Sequence, residues 1–230
     1  MKSDLLEQLI ADKAARRPVA VVTWLSSGAQ KLIYADDTGN QGDLKPVLGD
    51  AFATGTSATV KVGGDDVFVH VHNPARRLCI VGAVHIAQML VPMAELAGYD
   101  ISVIDPRQAF ATEERFPGST LIAEWPDDAL KSYALDRWTA LVALSHDPKI
   151  DEPALKIALQ SECFYIGALG SRKTHAKRCE NLRGAGLSDA QIARIHGPIG
   201  LDIGSVGPAE IAISIVGEIT ACFRGKSGDA

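Results

Sequence analysis

The sequence predicts an α/β fold, and three observations carry that prediction. Apolar runs at residues 78–81, 101–104, 141–144 and 164–166 alternate with helical patterns at residues 86–97, 127–134, 152–160 and 173–183. Strands that alternate with helices argue for a parallel sheet with right-handed crossovers. The stretch 78–107 reads strand, glycine (Gly82), helix, glycine (Gly98), strand, acid (Asp105), the opening unit of a Rossmann-like domain. The first 75 residues show no such alternation: one helical pattern precedes several short strands. The expected organisation is therefore a small α+β domain over 1–75 and a Rossmann-like parallel sheet domain over 76–230, with the boundary near Asn73-Pro74.

Taken in order, Leu5, Leu6, Leu9 and Ile10 give one apolar face of a helix ending near Arg17-Pro18. Residues 19–25 are strand-like, Ser26-Ser27-Gly28 turns the chain, and residues 31–34 form a second strand. Residues 36–43 are turn formers and read as a loop. Residues 58–62 and 67–72 flank Gly63-Gly64-Asp65-Asp66 and predict a β-hairpin. After the alternating region, Ser188 caps a helix over 189–195. A glycine-rich loop, 196–207, leads to a last helix from Pro208, whose fixed φ suits a first helical turn. Its stripe is Ile211, Ile215, Val216 and Ile219.

Composition narrows the function. The chain has 230 residues, 47% hydrophobic and 22% charged, with 28 acids against 23 lysines and arginines for a net charge of −5. That balance argues against a general nucleic-acid binder. No apolar run is long enough to span a bilayer. The N-terminal stretch is charged and amphipathic rather than a leader, so a cytoplasmic protein with no membrane role is expected. Cys79, Cys163, Cys179 and Cys222 form no C-x-x-C pair and read as reduced thiols. His70 and His72 share a strand face, but two imidazoles without a third ligand predict no metal site.

In an open parallel sheet, ligands bind beyond the carboxyl ends of the strands. Four loops fall there: 82–85, 105–107, 145–148 and 167–172. Gly82, Ala83 and His85 form the first turn, with Val84 where a dinucleotide fingerprint wants glycine. Asp105 stands where an acid would accept from ribose hydroxyls, or caps its own Asp-Pro turn. Arg107 can pair a phosphate or carboxylate bidentately. His146 and Asp147 offer a proton donor or a metal ligand, although adjacent residues rarely point at one site. Gly167, Gly170, Ser171 and Arg172 combine small residues, a helix cap and a guanidinium, a pattern suited to an anion; a plain connection with solvated cations has the same composition.

The segments 164–172 (FYIGALGSR) and 195–212 (IHGPIGLDIGSVGPAEIA) resemble the xanthine dehydrogenase accessory protein family of the XdhC/CoxI type. The turn at 82–85 and Ser145-His146-Asp147 support the likeness, which covers about residues 76–223. Residues 19–23 and 28–32 look like a shortened form of the family's N-terminal domain. The resemblance implies a chaperone that binds molybdenum cofactor, as molybdopterin or its dinucleotide form. It implies assistance in sulfuration with a cysteine desulfurase and in insertion into a molybdenum hydroxylase apoenzyme. A homodimer is compatible with the amphipathic first and last helices. By the same likeness Gly200 and Asp202 join the cofactor-binding set. Two departures stand out: the family's S-G-G-C segment has no cysteine counterpart near 39–43, and G-A-V-H replaces G-A-G-H. No catalytic residue is assigned. The rival readings are an NAD(P)-dependent oxidoreductase, with His85 or His146 as acid, and a non-catalytic scaffold.

Overall fold

The computed structural model describes residues 3–226; residues 1, 2 and 227–230, which include the first two of the amphipathic N-terminal stretch, lie outside the described residues. Two compact units divide the chain, Met1–Ala75 and Arg76–Ala230.

The first unit contains α1 (Ser3–Ala14), β1 (Val19–Trp24), β2 (Gln30–Tyr34), two 3₁₀ turns (Ala35–Asn40 and Gly42–Leu44), α2 (Lys45–Thr54), β3 (Ala58–Val62) and β4 (Asp65–His72). Its sheet is antiparallel in the order β2-β1-β4-β3. The unbroken apolar run of β1 has a reason: both of its faces are covered. Ala20 and Val22 pack with Leu48, Ala51 and Phe52 of α2, whereas Val19 and Val21 pack with Leu9 of α1. The helix α2 replaces part of what reads as featureless sequence. Pro46 sits in its first turn, and Gly55 at φ +72° ends it. The predicted loop at 36–43 is wound into the two 3₁₀ turns. On β4 the His70 and His72 rings lie 4.1 Å apart, and burial lowers the His72 pKa, with His70 and Lys13 adding to the shift.

The second unit runs β5 (Arg76–Val81), α3 (His85–Leu96), β6 (Tyr99–Ile104), β7 (Thr120–Ile122), α4 (Pro126–Tyr133), β8 (Thr139–Ala143), α5 (Pro148–Leu159), β9 (Tyr165–Ala168), α6 (Arg172–Gly184), α7 (Asp189–Ile192), β10 (Ile195–His196) and α8 (Pro208–Phe223). All pairings are parallel, in the order β7-β6-β5-β8-β9-β10. Numbered within the unit, that is 3-2-1-4-5-6, the doubly wound order whose switch point falls between β5 and β8. Alternation within each buried strand divides the core. Leu78, Ile80, Ala140, Val142 and Tyr165 pack beneath α3 and α8, while Cys79, Val81, Leu141, Ala143 and Ile166 pack beneath α4, α5 and α6.

The short edge strands β7 and β10 have too few residues to carry a period, and only pairing with β6 and β9 defines them. Ser188 caps α7 through a capping box with Gln191, but that helix stops at Ile192, because Ile195 enters the sheet. Arg194 ties this junction down by donating to the carbonyls of Leu159, Ser161 and Cys163 at 3.0, 3.0 and 2.8 Å. We expect Arg194→Ala to lower stability by about 2 kcal/mol, read as a shift in urea midpoint, because three carbonyls lose a charged donor.

Candidate functional site

The switch point is closed to van der Waals contact. Gly82 follows β5 at φ +107°, and a Cβ there would lie 2.6 Å from the backbone nitrogen of Ser145, in the loop after β8. Ser145 is held in turn: its Oγ and N–H both donate to Asp151 Oδ1, at 2.7 and 3.2 Å. Asp151 lies in the first turn of α5 and is buried, which pushes its carboxyl pKa up despite the Ser145 hydrogen bonds and the Arg178 guanidinium 3.9 Å away.

The acid after β6 is engaged within the protein. Asp105 is fully buried; its Oδ2 accepts from Ala83 N–H at 2.8 Å and Arg107 Nη2 at 2.7 Å. Its Oδ1 accepts from the N–H and Nε of Arg107, both at 2.9 Å. Burial alone would raise this carboxyl; the Arg107 fork and the two backbone donors outweigh it and hold the pKa below the ordinary range. Val84 N–H donates to Gly82 O, so both of the first N–H groups of the turn have internal acceptors. The side chain of His85 is exposed at the start of α3.

The remaining residues fall into two further groups. His146, exposed and at φ +63°, lines a cavity of about 330 Å³ with Asp151, Lys173, Thr174, Lys177 and Arg178. Asp147 caps α5 by accepting from Lys149 N–H. On the other side of the β9–α6 turn, Leu169, Arg172, Gly200, Asp202, Ser205 and Ser214 are among the residues lining a cavity of about 340 Å³. Gly167 is buried, and a Cβ on it would lie 2.5 Å from Ile199 Cδ1, so this glycine lets the 198–202 loop pack onto β9. Gly170 takes φ +141°, and Ser171 caps α6 by accepting from Thr174 N–H. Gly200, at φ +93°, has room for no side chain against Ser214 and donates its N–H to Glu218 at 2.8 Å.

The structure thus separates the sequence-derived candidates. Gly82, Ala83, Asp105 and Arg107 form one interlocked turn. His146 belongs to the second group, and Arg172, Gly200 and Asp202 to the third. Sequence reading passed over Asp151 and Arg178, whose side chains meet only in the folded chain, and over Glu218, which reads as one acid on an amphipathic helix.

Arg172 and Asp202 are both exposed, and Arg172 opens the 13-residue helix α6. A guanidinium beside a helix N-terminus suits an anion. A carboxylate on a loop with glycines at 200 and 204 suits the N–H or O–H donors of a planar heterocycle or sugar. The residues present fit an anionic group joined to a hydrogen-bonding ring.

Residues 78–219 match the family described as XdhC Rossmann domain. The chain is 33% identical over 157 residues to the uncharacterised protein YqeB of Escherichia coli K12, covering 68% of this chain and 29% of that one. It is 33% identical over 159 residues to a protein of Bacillus subtilis 168 named as a probable subunit of xanthine dehydrogenase, covering 67% and 45%. It is 30% identical over 148 residues to the molybdenum cofactor insertion chaperone PaoD of E. coli K12, covering 64% and 40%. The chain therefore covers less than half the length of each of these curated relatives. A crystal structure described as a xanthine dehydrogenase from Bacillus halodurans superimposes with a TM-score of 0.70 at 25% identity, covering 97% of this chain and 65% of that one.

Proposed function

This chain belongs to the XdhC Rossmann-domain family, and on that premise we propose that it carries molybdenum cofactor and assists its insertion into a molybdenum hydroxylase. One observation supports the placement of the cargo: two segments about thirty residues apart, 167–172 and 198–205, converge on the 340 Å³ cavity. There Arg172 and the N-terminus of α6 hold the phosphate of the pterin or of its dinucleotide form, and Asp202 accepts from ring or ribose donors. Gly200 and Gly204, both at positive φ, let the loop backbone approach the ligand closely. Sulfuration by a cysteine desulfurase is the finer step of the same reading, and a hydroxylase apoenzyme is the receiving partner.

An oxidoreductase using NAD(P) is disfavoured on geometry. The acid that would accept from ribose hydroxyls has both oxygens engaged, and the turn that would cradle a pyrophosphate donates inward. His146 lines the other cavity, Asp147 caps α5 and His85 stands exposed at the start of α3, so none of the three joins this cavity.

Anaerobic titration of the purified protein with molybdenum cofactor, with NADH, NADPH and CMP alongside, tests the proposal. We expect saturable binding of the cofactor at micromolar or tighter affinity and none of NADH. Arg172→Ala should weaken it about tenfold or more, the worth of one charge-assisted fork. Binding of NADH would restore the oxidoreductase, and binding of none of the four would leave a scaffold for the hydroxylase.

A further inference from the structure

A second cluster of chemically competent side chains lies at the β10 edge of the sheet. Glu218 and Cys222 are four residues apart on α8 and so share a face. His196 approaches from β10. Its Nδ1 lies 3.1 Å from Glu218 Oε1, and its Nε2 lies 3.7 Å from Cys222 Sγ. The other carboxylate oxygen of Glu218 accepts from the Tyr165 hydroxyl and from Gly200 N–H. Tyr165 also stacks on the His196 ring at 4.6 Å between centroids.

That arrangement fixes the chemistry of the imidazole. A carboxylate held on both oxygens requires a donor at Nδ1, which leaves the Nε2 lone pair facing the thiol. Glu218 is kept ionised for this role: burial would raise its pKa, but His196, Tyr165 and Gly200 bring it below the ordinary range. Tyr165 goes the other way. Burial first, then the charge of Glu218, raise its pKa, so its hydroxyl stays a donor. Nucleophile, base and orienting carboxylate stand in order, as in activated thiols. The His196 side chain is 31% exposed and Cys222 is half-buried, so a small reagent reaches the pair.

We propose that Cys222, His196 and Glu218 form an activated-thiol site that exchanges with an electrophilic divalent sulfur, as in a small-molecule disulfide. His196 takes the Cys222 proton, and the thiolate attacks one sulfur of the disulfide R–S–S–R. A Cys222–S–S–R bond forms as the R–S–S–R bond breaks. The departing thiolate takes the proton back from His196, so the net products are the mixed disulfide and R–SH. Sulfur exchange needs a thiolate and a proton acceptor and no oxyanion site. Here Gly200 N–H, the backbone donor in the cluster, is engaged by Glu218. The cluster adjoins the cofactor cavity through the Gly200 N–H bond to Glu218, but the proposal stands or falls without that reading.

The chain supplies its own comparison. Cys179 lies 3.5 Å from His175 Nε2, but His175 Nδ1 is buried with no hydrogen-bond partner, so that imidazole has no carboxylate behind it. Among the groups near Cys222 are His196 from β10, which its Sγ approaches directly, Tyr165 from β9, and Glu218 one helical turn before it on α8.

The test is the pH profile of reaction of the intact protein with an aromatic disulfide, 5,5′-dithiobis(2-nitrobenzoate), the modified cysteine being read by peptide mass spectrometry. An ordinary thiol is ionised to about one part in a hundred at pH 6.5 and would keep about one seventy-fifth of its pH 9 rate. Cys222 is expected to keep at least about a third of that rate and to outpace Cys179 about tenfold at pH 6.5. Glu218→Gln should return the profile toward that of an ordinary thiol. A wild-type profile that already falls about 75-fold or more between pH 9 and pH 6.5, or equal rates at Cys179 and Cys222, overturns the proposal, whether or not the variant folds.

Discussion

Gly82→Ala is expected to destabilise the protein by about 3–5 kcal/mol, a large part of the stability of a domain this size. Two costs add. The backbone stands at φ +107°, where an L side chain is strained by about 1–3 kcal/mol. The new Cβ would also sit 2.6 Å from Ser145 N and 2.8 Å from Ser145 Cα. Those are backbone atoms, and they have little freedom to retreat. Ser145 is bonded twice to the buried Asp151, and the preceding Leu144 donates to Val81 O at 2.8 Å. Overpacking against so constrained a neighbour typically costs about 1–3 kcal/mol more. Urea denaturation of the variant beside the wild type measures the loss. A change below about 1 kcal/mol would mean that the two loops separate easily and that the switch point opens. As a control, Gly118→Ala also stands at positive φ (+79°) but meets nothing within 4 Å, so it should show the backbone cost alone.

Arg107→Ala should cost about 2–3 kcal/mol and change how stability depends on pH. The substitution strips a fully buried carboxylate of a guanidinium that contributes two of its four hydrogen bonds. Breaking a wholly buried pair costs about 3–5 kcal/mol. The figure here is lower because the Arg107 side chain is 38% exposed and water can enter the vacated place. The sign of the pH effect follows from the direction of the shift. The folded Asp105 pKa lies below its unfolded value, so its contribution is complete above about pH 4 and is lost as the pH falls through the folded value. In the variant, Asp105 retains its burial but loses the charge that offsets it, so its stabilisation of the wild type near neutrality becomes a penalty that acid relieves. The difference in unfolding free energy between wild type and variant should therefore shrink between pH 6 and pH 3. A difference that stays constant over that range would show that the ion pair contributes packing and not charge.

Much of the fold is legible in the residues. The four strands with helices between them, the glycine closing β5, the Ser171 and Ser188 caps and the Pro208 start of α8 all follow from local chemistry: period, capping side chains and fixed φ. What local chemistry leaves open is instructive. Residues 45–54 carry Pro46 and Gly49, which read as loop formers, yet the apolar spacing of Leu48, Ala51 and Phe52 lets the β1–β4 sheet hold a helix there. The strands β7 and β10 are too short for any period to register.

The site divides along the same line. Residue types and their positions after strands single out Asp105, Arg107, His146, Arg172 and Asp202, because strand ends are where a doubly wound sheet exposes its loops. The sequence determines by itself that the chain is an α/β protein of this family and which motifs it carries, since period, glycine placement and motif order are properties of neighbours in the chain. Only the tertiary structure decides what each motif touches. It turns Asp105 inward onto Ala83 and Arg107, draws residues 167–172 and 198–205 to one cavity, and brings His196 to Cys222 across 26 positions. Hydrogen bonds and close packing act across space, and the partners of a side chain are set by which strands pair and which helices cover them.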